Sequence, residues 1–302
     1  MLETRTRNRP AALALAALAL LLLLAAAAAP AADAPLRVIV FGAHPDDCDL
    51  DAGGTAALWA AKGHQVKFVA VTNGDAGHQS EGGGALARRR RAEAQEAGRR
   101  FGIAEYEVLD NHDGELEPRL AVRQEIIRRI RRWNADVVIA PRPNDYHPDH
   151  RYTGVLVQDT AYMVMVPNVC PDTPPLRKNP VFLYAQDGFQ RPNPFRPDVA
   201  VAIDSVVEQK IHALDAHVSQ VYEWLPWVEG VLDTVPKDPA ARLAWLRQQR
   251  SGRPLGEDVR AALRKWYGPR ADAVKDAEAF EVCEYGRQPT EADLRRLFPF
   301  FD

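Results

Sequence analysis

The sequence predicts a Rossmann-like α/β fold: a three-layer sandwich around a mostly parallel sheet, followed by a mainly helical C-terminal extension. Short β-branched runs alternate with helix-like stretches along the first two thirds of the chain. These runs are continuously apolar, which is typical of parallel strands covered by helices on both faces. We expect six strands, at residues 36–43, 65–72, 105–110, 136–141, 180–185 and 198–203.

The segments between the expected strands have the composition of helices. They span residues 53–63, 85–102, 121–134 and 150–165, and the first two end on glycine, a common helix C-terminal signal. We therefore expect the α/β domain to cover residues 35–220.

From residue 221 onward the pattern changes to helices rich in Arg and Trp. We expect residues 221–302 to pack on the same domain as an extension. This extension contains one further candidate strand, 277–286, and a helix with Thr290 as its N-cap and Asp293 three residues later.

The N-terminal segment, residues 1–34, resembles a targeting sequence. Arg5, Arg7 and Arg9 precede an Ala/Leu run over 11–29, and small residues follow it. A cleaved signal peptide is the favoured interpretation. An uncleaved N-terminal anchor is the alternative, because the run approaches the length needed to cross a bilayer. Both alternatives predict an exported protein, periplasmic or extracellular, with a membrane contact only through such an anchor.

Charge and cysteine content exclude several classes of protein. The formal net charge is −3 over 302 residues, so there is no general positive field to bind nucleic acid. Three cysteines are too few for a disulfide scaffold, and their spacing matches no structural zinc site. A bridge between Cys170 and Cys283, and the oligomeric state, stay open.

Two similar polar motifs follow the first and fourth expected strands. "AHPDD" begins at residue 43, and "PRPNDYHPDHR" covers 141–151. In doubly wound sheets, ligands bind beyond the carboxyl ends of the strands, where the strand order reverses between the first and fourth strands. We therefore expect the two motifs to face each other across one crevice.

The residue types in these motifs are those of metal-assisted hydrolysis. Two imidazoles and one carboxylate leave open positions on Zn²⁺, and a second carboxylate can accept a proton from water. Adjacent Asp46 and Asp47 can supply one carboxylate for each role. Asp51 is interpreted as the N-cap of the following helix. The glycine-rich stretches match neither dinucleotide nor P-loop motifs, so nucleotide binding is not supported.

Several motifs together resemble those of one enzyme family. They are "AHPDDCDLDAGGT", "TNGDAG", the helix with Arg90 and Glu93, "DNHDGEL", "DYHPDH" and "IDSVVEQKIHALDAHVSQ". In this order they resemble the PIG-L/LmbE-like family of zinc-dependent N-acetylglucosamine deacetylases. The resemblance covers residues 36–220.

The resemblance implies a role for each site residue. The expected ligands of one zinc ion, or of Fe²⁺ or another divalent metal, are His44, Asp47 and His150. Asp46 is the expected general base. His147 is expected to stabilise the oxyanion or protonate the leaving amine, with Asp149 holding its ring. Possible substrate contacts are Arg90, Asp113 and His217. Arg90 and Glu93 are also expected to form an ion pair.

These roles imply a zinc-dependent hydrolase, and the N-terminal segment implies that it is exported. It would remove an N-acetyl group from an amino sugar or an N-acetylglucosamine-containing glycoconjugate by attack of a metal-bound water. Two alternatives stay open: an amidase that acts on another N-acyl conjugate with the same site, and a metal-dependent sugar-binding protein without turnover.

Overall fold

One sheet of seven strands organises the part of the chain that the computed structural model describes, residues 34–301. The strands are β1 (Arg37–Gly42), β2 (Gln65–Thr72), β3 (Glu105–Asn111), β4 (Val137–Ala140), β5 (Val181–Ala185), β6 (Val199–Ala202) and β7 (Ala277–Gly286). Their order in the sheet is β3-β2-β1-β4-β5-β7-β6. Every pair among β1 to β5 is parallel, and β7 is antiparallel to both of its neighbours. The predicted mostly parallel sheet is confirmed.

Helices connect and cover these strands. They are α1 (Asp47–Ala61), α2 (Gly83–Phe101), α3 (Leu120–Trp133), α4 (Pro148–Gln158), α5 (Thr160–Met163), α6 (Val207–Leu214), α7 (Leu225–Val228), α8 (Pro239–Arg250), α9 (Glu257–Tyr267) and α10 (Glu291–Leu297). A π-helix at Ser219–Trp224 runs directly into α7, and two 3₁₀ turns lie at Leu232–Thr234 and Gly268–Ala273.

The sheet separates two apolar layers, as the continuous apolar strands predict. Along β1, Val38 and Val40 face one layer, while Ile39 and Phe41 face the other. Side chains of α1, α2, α9 and α10 fill the first layer, and those of α3, α4 and α5 fill the second. The three-layer α/β prediction is therefore confirmed.

The start of α1 differs from the sequence prediction. The helix begins at Asp47, six residues before the predicted segment 53–63. Asp51 therefore lies inside the helix, and the prediction that it caps the helix is wrong. The first turn of α1 hid the helix because it is rich in aspartate: Asp47 lines the cavity described below, and Asp49 is buried in contacts with Tyr106 and His217.

The C-terminal residues complete the sheet. The strand expected at 277–286 is β7, and it lies between β5 and β6. Its buried Glu278 accepts hydrogen bonds from the backbone N–H groups of Gly54 and Thr55 and from the Lys210 ammonium, so it ties the sheet to α1 and α6. Thr290 and Asp293 form the expected capping box of α10.

Cysteines and membrane spans complete the comparison with the sequence. Cys48, Cys170 and Cys283 are buried free thiols. Within residues 34–301, no helix combines the length and apolarity needed to cross a bilayer. The signal peptide or anchor was predicted for residues 1–34, and residues 1–33 of it lie outside the described part of the chain.

Candidate active site

The two HPD motifs meet at the switch point of the sheet. β1 and β4 are neighbours, whereas the chain moves from β1 to β2 in the opposite direction. His44 follows β1 and His150 follows β4, and both side chains reach the same crevice beyond the carboxyl ends of these strands. The His44 Nδ1 and His150 Nε2 atoms are 3.2 Å apart.

Three potential ligand atoms form a small triangle. Asp47 Oδ2 lies 3.5 Å from His44 Nδ1 and 3.4 Å from His150 Nε2, which closes the triangle begun by the two rings. Tetrahedral zinc with bonds of about 2.0–2.1 Å has ligand atoms about 3.3 Å apart. His147 also brings a ring nitrogen within 4.8 Å of those of His44 and His150. The donor set and its spacing fit a divalent metal ion.

Carboxylates flank the far side of both histidine rings. Asp113 Oδ1 and Asp149 Oδ2 lie 3.0 and 3.4 Å from His44 Nε2, although neither is aligned as a hydrogen-bond acceptor for it. Asp145 Oδ1 lies 3.1 Å from His150 Nδ1. Carboxylates in these positions favour protons on the outer nitrogens, which directs the lone pairs of His44 Nδ1 and His150 Nε2 into the triangle.

The electrostatics of the triangle favour positive charge. Burial lowers the pKa of His44, but contacts with Asp113, Asp149 and Asp47 outweigh it and raise that pKa well above its ordinary value. Burial also lowers the pKa of His150, but Asp47 and Asp145 outweigh this effect and raise that pKa to about 9. A bound divalent cation would supply the positive charge that these carboxylates attract.

Asp46 is held away from the triangle by an arginine. Its Oδ1 accepts a hydrogen bond of 3.1 Å from Arg90 Nη2, and both side chains are buried. Burial raises the pKa of the Asp46 carboxyl, and the Arg90 guanidinium opposes that rise. Arg90 also donates to the Gly74 carbonyl and lies near Asp113. A Cβ atom on Gly74, where φ is +72°, would lie 2.7 Å from the guanidinium. The "TNGDAG" motif therefore makes room for Arg90.

His147 caps helix α4. Its Nδ1 accepts a hydrogen bond of 3.2 Å from the backbone N–H of Asp149, and Pro148 occupies the first helical position. The neutral ring consequently carries its proton on Nε2. Burial and the neighbouring His44 and His150 lower the pKa of His147. The ring is therefore placed as a neutral hydrogen-bond donor.

Comparison with known proteins identifies the family. Residues 39–161 match the family model described as PIG-L, GlcNAc-PI de-N-acetylase. The chain is 31% identical over 207 residues to the diacetylchitobiose deacetylase of Thermococcus kodakarensis, covering 66% of this chain and 76% of that protein. The chain belongs to the PIG-L family. The resemblance drawn from the motifs is confirmed.

Two further relatives of this PIG-L chain span most of its length. It is 29% identical over 220 residues to a probable N-acetyl-alpha-D-glucosaminyl L-malate deacetylase 2 of Bacillus cereus, covering 70% of this chain and 94% of that protein. The structure of N,N'-diacetylchitobiose deacetylase from Pyrococcus horikoshii in complex with its inhibitor MPG superposes with a TM-score of 0.61 at 25% identity. That match covers 82% of this chain and 83% of the other.

Some side chains of this PIG-L chain make contacts that differ from the sequence predictions. Glu93 binds the backbone N–H and hydroxyl of Ser219, so the expected Arg90–Glu93 ion pair is replaced by the Arg90–Asp46 pair. Asp149 was expected to hold the His147 ring with its carboxylate. Its backbone N–H does so instead, because the carboxylate accepts hydrogen bonds from the backbone of Gly114 and Leu116.

The predicted substrate contacts occupy different positions. Arg90 and Asp113 line the active-site cavity, and Asp113 also contacts His44. His217 is fully buried, and its Nε2 lies 2.9 Å from Asp49 Oδ1. This pairing turns the His217 ring into the packing between α1 and α6, so the residue supports the cavity wall from behind.

The cavity of this PIG-L chain is open, and charged or polar side chains make up more than half of its lining residues. Its volume is about 500 Å³. Besides the predicted site residues, it is lined by side chains for which the sequence predicted no role in the site, among them Asp51, Arg142, Asp145, Tyr146, Asp187, Gln220 and Trp224. Asp145 and Tyr146 belong to the quoted "DYHPDH" motif. Their place in the cavity could have been predicted, because they share a loop with the expected ligand His150.

Proposed function

We propose that this chain is a zinc-dependent deacetylase of N-acetylated amino sugars or of glycoconjugates that contain N-acetylglucosamine. The triangle of ligand atoms beside the Arg90-held Asp46 carries the proposal. The names of the curated relatives support the substrate class, because both describe deacetylases of N-acetylglucosamine derivatives.

His44, Asp47 and His150 would hold the metal. Two neutral nitrogens and one carboxylate oxygen suit Zn²⁺ and leave room for other ligands. When bound, the metal supplies Lewis acidity, which lowers the pKa of water and polarises a carbonyl oxygen. The carboxylates of Asp113, Asp149 and Asp145 lie beside the outer nitrogens of the two rings and favour the tautomers needed for binding.

The other site residues move protons. The oxygen of the attacking water bonds to the acetyl carbon while Asp46 accepts a proton from that water. Arg90 keeps the Asp46 carboxylate in place for this step. The His147 Nε2–H donates a hydrogen bond to the oxygen on which negative charge develops. The C–N bond then breaks, and the proton taken by Asp46 passes to the leaving nitrogen. The products are acetate and a free amine.

Amine release by the metal-loaded protein tests the proposed activity. We expect release from N-acetylglucosamine derivatives, loss of release on chelation and recovery with Zn²⁺. Release only from other N-acyl conjugates would establish the amidase alternative. Sugar binding with no release from any substrate would establish a binding protein. Either result would overturn the proposal.

We also propose that the protein acts outside the cytoplasm. The proposal rests on the N-terminal sequence alone, with three arginines before the Ala/Leu run. Fractionation of cells that express the full chain tests it. We expect the protein in the periplasm, the medium or the membrane fraction, and recovery of all of it from the cytosol would contradict the proposal.

A further inference from the structure

A pair of stacked tryptophans stands at the edge of the active-site cavity. The rings of Trp224 and Trp227 are 5.3 Å apart between centroids and inclined by only 16°. Trp227 is 50% exposed. By contrast, Trp59 and Trp266 are buried in the core and Trp133 packs partly buried against it, and all three donate their indole N–H groups to backbone carbonyls. The stack of partly buried Trp224 on exposed Trp227 is therefore not explained by the core.

Trp224 joins the tryptophan pair to the cavity, and Trp227 lies just outside the lining. Trp224, Leu225 and Val228 all line it, and Val228 is 58% exposed. The π-helix that ends at Trp224 also directs Gln220 into the same cavity. We call the surface formed by Trp224, Trp227 and Val228 the aromatic platform. It extends the lining of the cavity outward by an apolar surface.

Side-chain contacts fix the segment that carries the aromatic platform. Glu93 binds Ser219, and the Gln220 amide donates to the Gly77 carbonyl. Glu223 lies 2.9 Å from His78 and accepts a hydrogen bond of 2.7 Å from Arg89. The segment is thus tied to α2 and to the loop before it. A fixed surface binds a ligand without the entropic cost of ordering it.

We propose that the aromatic platform binds a second sugar ring, so that the preferred substrate is an N-acetylated glycan of two or more rings rather than a free monosaccharide. The inference rests on the proposed function. A sugar ring presents a flat face of C–H groups with hydroxyls at its edge. An accessible, flat indole surface at the edge of a cavity with hydrogen-bonding side chains matches this shape, because it covers the C–H face and leaves the hydroxyls in water. An alkyl chain would instead favour an enclosed apolar groove.

Chain-length dependence provides the test. We expect kcat/KM for amine release to rise from N-acetylglucosamine to N,N'-diacetylchitobiose and the trimer. In Trp227→Leu and Trp224→Leu, the ratio of the dimer value to the monomer value should fall about three- to tenfold. The corresponding Phe variants should keep part of the ratio, since they retain a flat ring. Tyr162→Leu, which removes a 74% exposed aromatic side chain on α5, is the matched control. It should leave the dimer-to-monomer ratio of kcat/KM unchanged.

A binding measurement separates this inference from the proposed function. Calorimetric titration of the Asp46→Asn protein with the same sugars should show tighter binding of the longer ones, and weaker binding of them once either tryptophan is Leu. If no N-acetylated sugar releases an amine, the proposed function is refuted. The titration would still show whether the aromatic platform binds a second sugar ring. Equal affinity for all chain lengths would overturn the platform. Leu variants that still prefer the longer sugars would also overturn it. Tighter binding of an octyl glycoside than of the dimer would overturn it as well.

Discussion

Asp46 and Asp47 are neighbours in the sequence, yet their carboxylates face different partners. Asp47 Oδ2 belongs to the ligand triangle, whereas Asp46 pairs with Arg90. We expect Asp46→Asn to keep its metal and to lose activity about 10²- to 10⁴-fold, the range of general-base assistance. Asp47→Asn should lose metal, because an amide oxygen is a weaker ligand than a carboxylate. Metal content and initial rate of amine release, measured side by side, test both expectations.

Asp272→Asn is the matched control for this pair, because Asp272 is exposed and distant in sequence from the site motifs. It should keep both metal and rate. Metal loss in the Asp46 variant together with retention in the Asp47 variant would reverse the assignment. Full activity of the Asp46 variant would refute the mechanism.

Gly74 controls the position of Arg90 and thereby of the Asp46 carboxylate. Gly74→Ala brings a Cβ atom within 2.7 Å of the guanidinium, so Arg90 must move. We expect kcat to fall by at least about tenfold, since small displacements of catalytic groups are costly. Initial rates at saturating substrate measure the effect.

Gly63→Ala separates this displacement from backbone strain. Gly63 has a φ of +81°, similar to that of Gly74, but no atom lies within 4 Å of a Cβ built there. Both variants should lose about 1–2 kcal/mol of stability from the left-handed backbone conformation. Only Gly74→Ala should lose activity, and an equal loss in both would show that strain alone is responsible.

At the scale of elements, one buried arginine holds the segment that follows α5. Arg131, on the last turn of α3, donates hydrogen bonds to six backbone carbonyls, those of Met163, Val164, Val166, Val169, Cys170 and Thr173. This arrangement satisfies carbonyls that an irregular segment would otherwise leave unpaired. The Arg131 guanidinium thus supplies hydrogen-bond donors that backbone N–H groups would supply in a regular helix or strand.

We expect Arg131→Met to lower the free energy of unfolding by about 3 kcal/mol or more, because several buried carbonyls lose a charged donor at once. Arg132→Met, at the exposed neighbouring position, should change it by less than about 0.5 kcal/mol. Denaturant unfolding of the two variants compares them. Similar midpoints would show that the carbonyls find other donors.

The sequence predicted elements better than side-chain partners. β2 and β7 have the predicted bounds, because the mostly apolar run of β2 and the apolar residues spaced by glutamates in β7 both identify strands locally. The meeting of His44 with His150 followed from the general rule for doubly wound sheets. The partner of Arg90 could not be predicted, because an arginine on a helix reaches several carboxylates and only the packed structure decides among them. The antiparallel insertion of β7 was equally hidden, since it depends on strands far away in the sequence.

On the scale of the whole molecule, the C-terminal residues are required to complete the sheet. β6 is hydrogen-bonded to the sheet through β7, and Phe280 of β7 is fully buried. We expect a fragment of residues 34–220 to lack a cooperative thermal transition, because it exposes β5 and β6 along an unpaired edge. Residues 34–302 should unfold cooperatively. Circular dichroism on heating distinguishes the two, and a cooperative transition in the short fragment would contradict the expectation.

The strand that completes the sheet is also among the last to be synthesised. β5 and β6 leave the ribosome first, and the gap between them stays open until Gly286 has followed. Pairing of segments so far apart in the chain is slow, because loop-closure entropy is lost before the new contacts compensate for it. The newly made chain therefore lacks its native sheet until its last residues have been synthesised, and under the export proposed above this is the interval in which it would pass through a membrane channel.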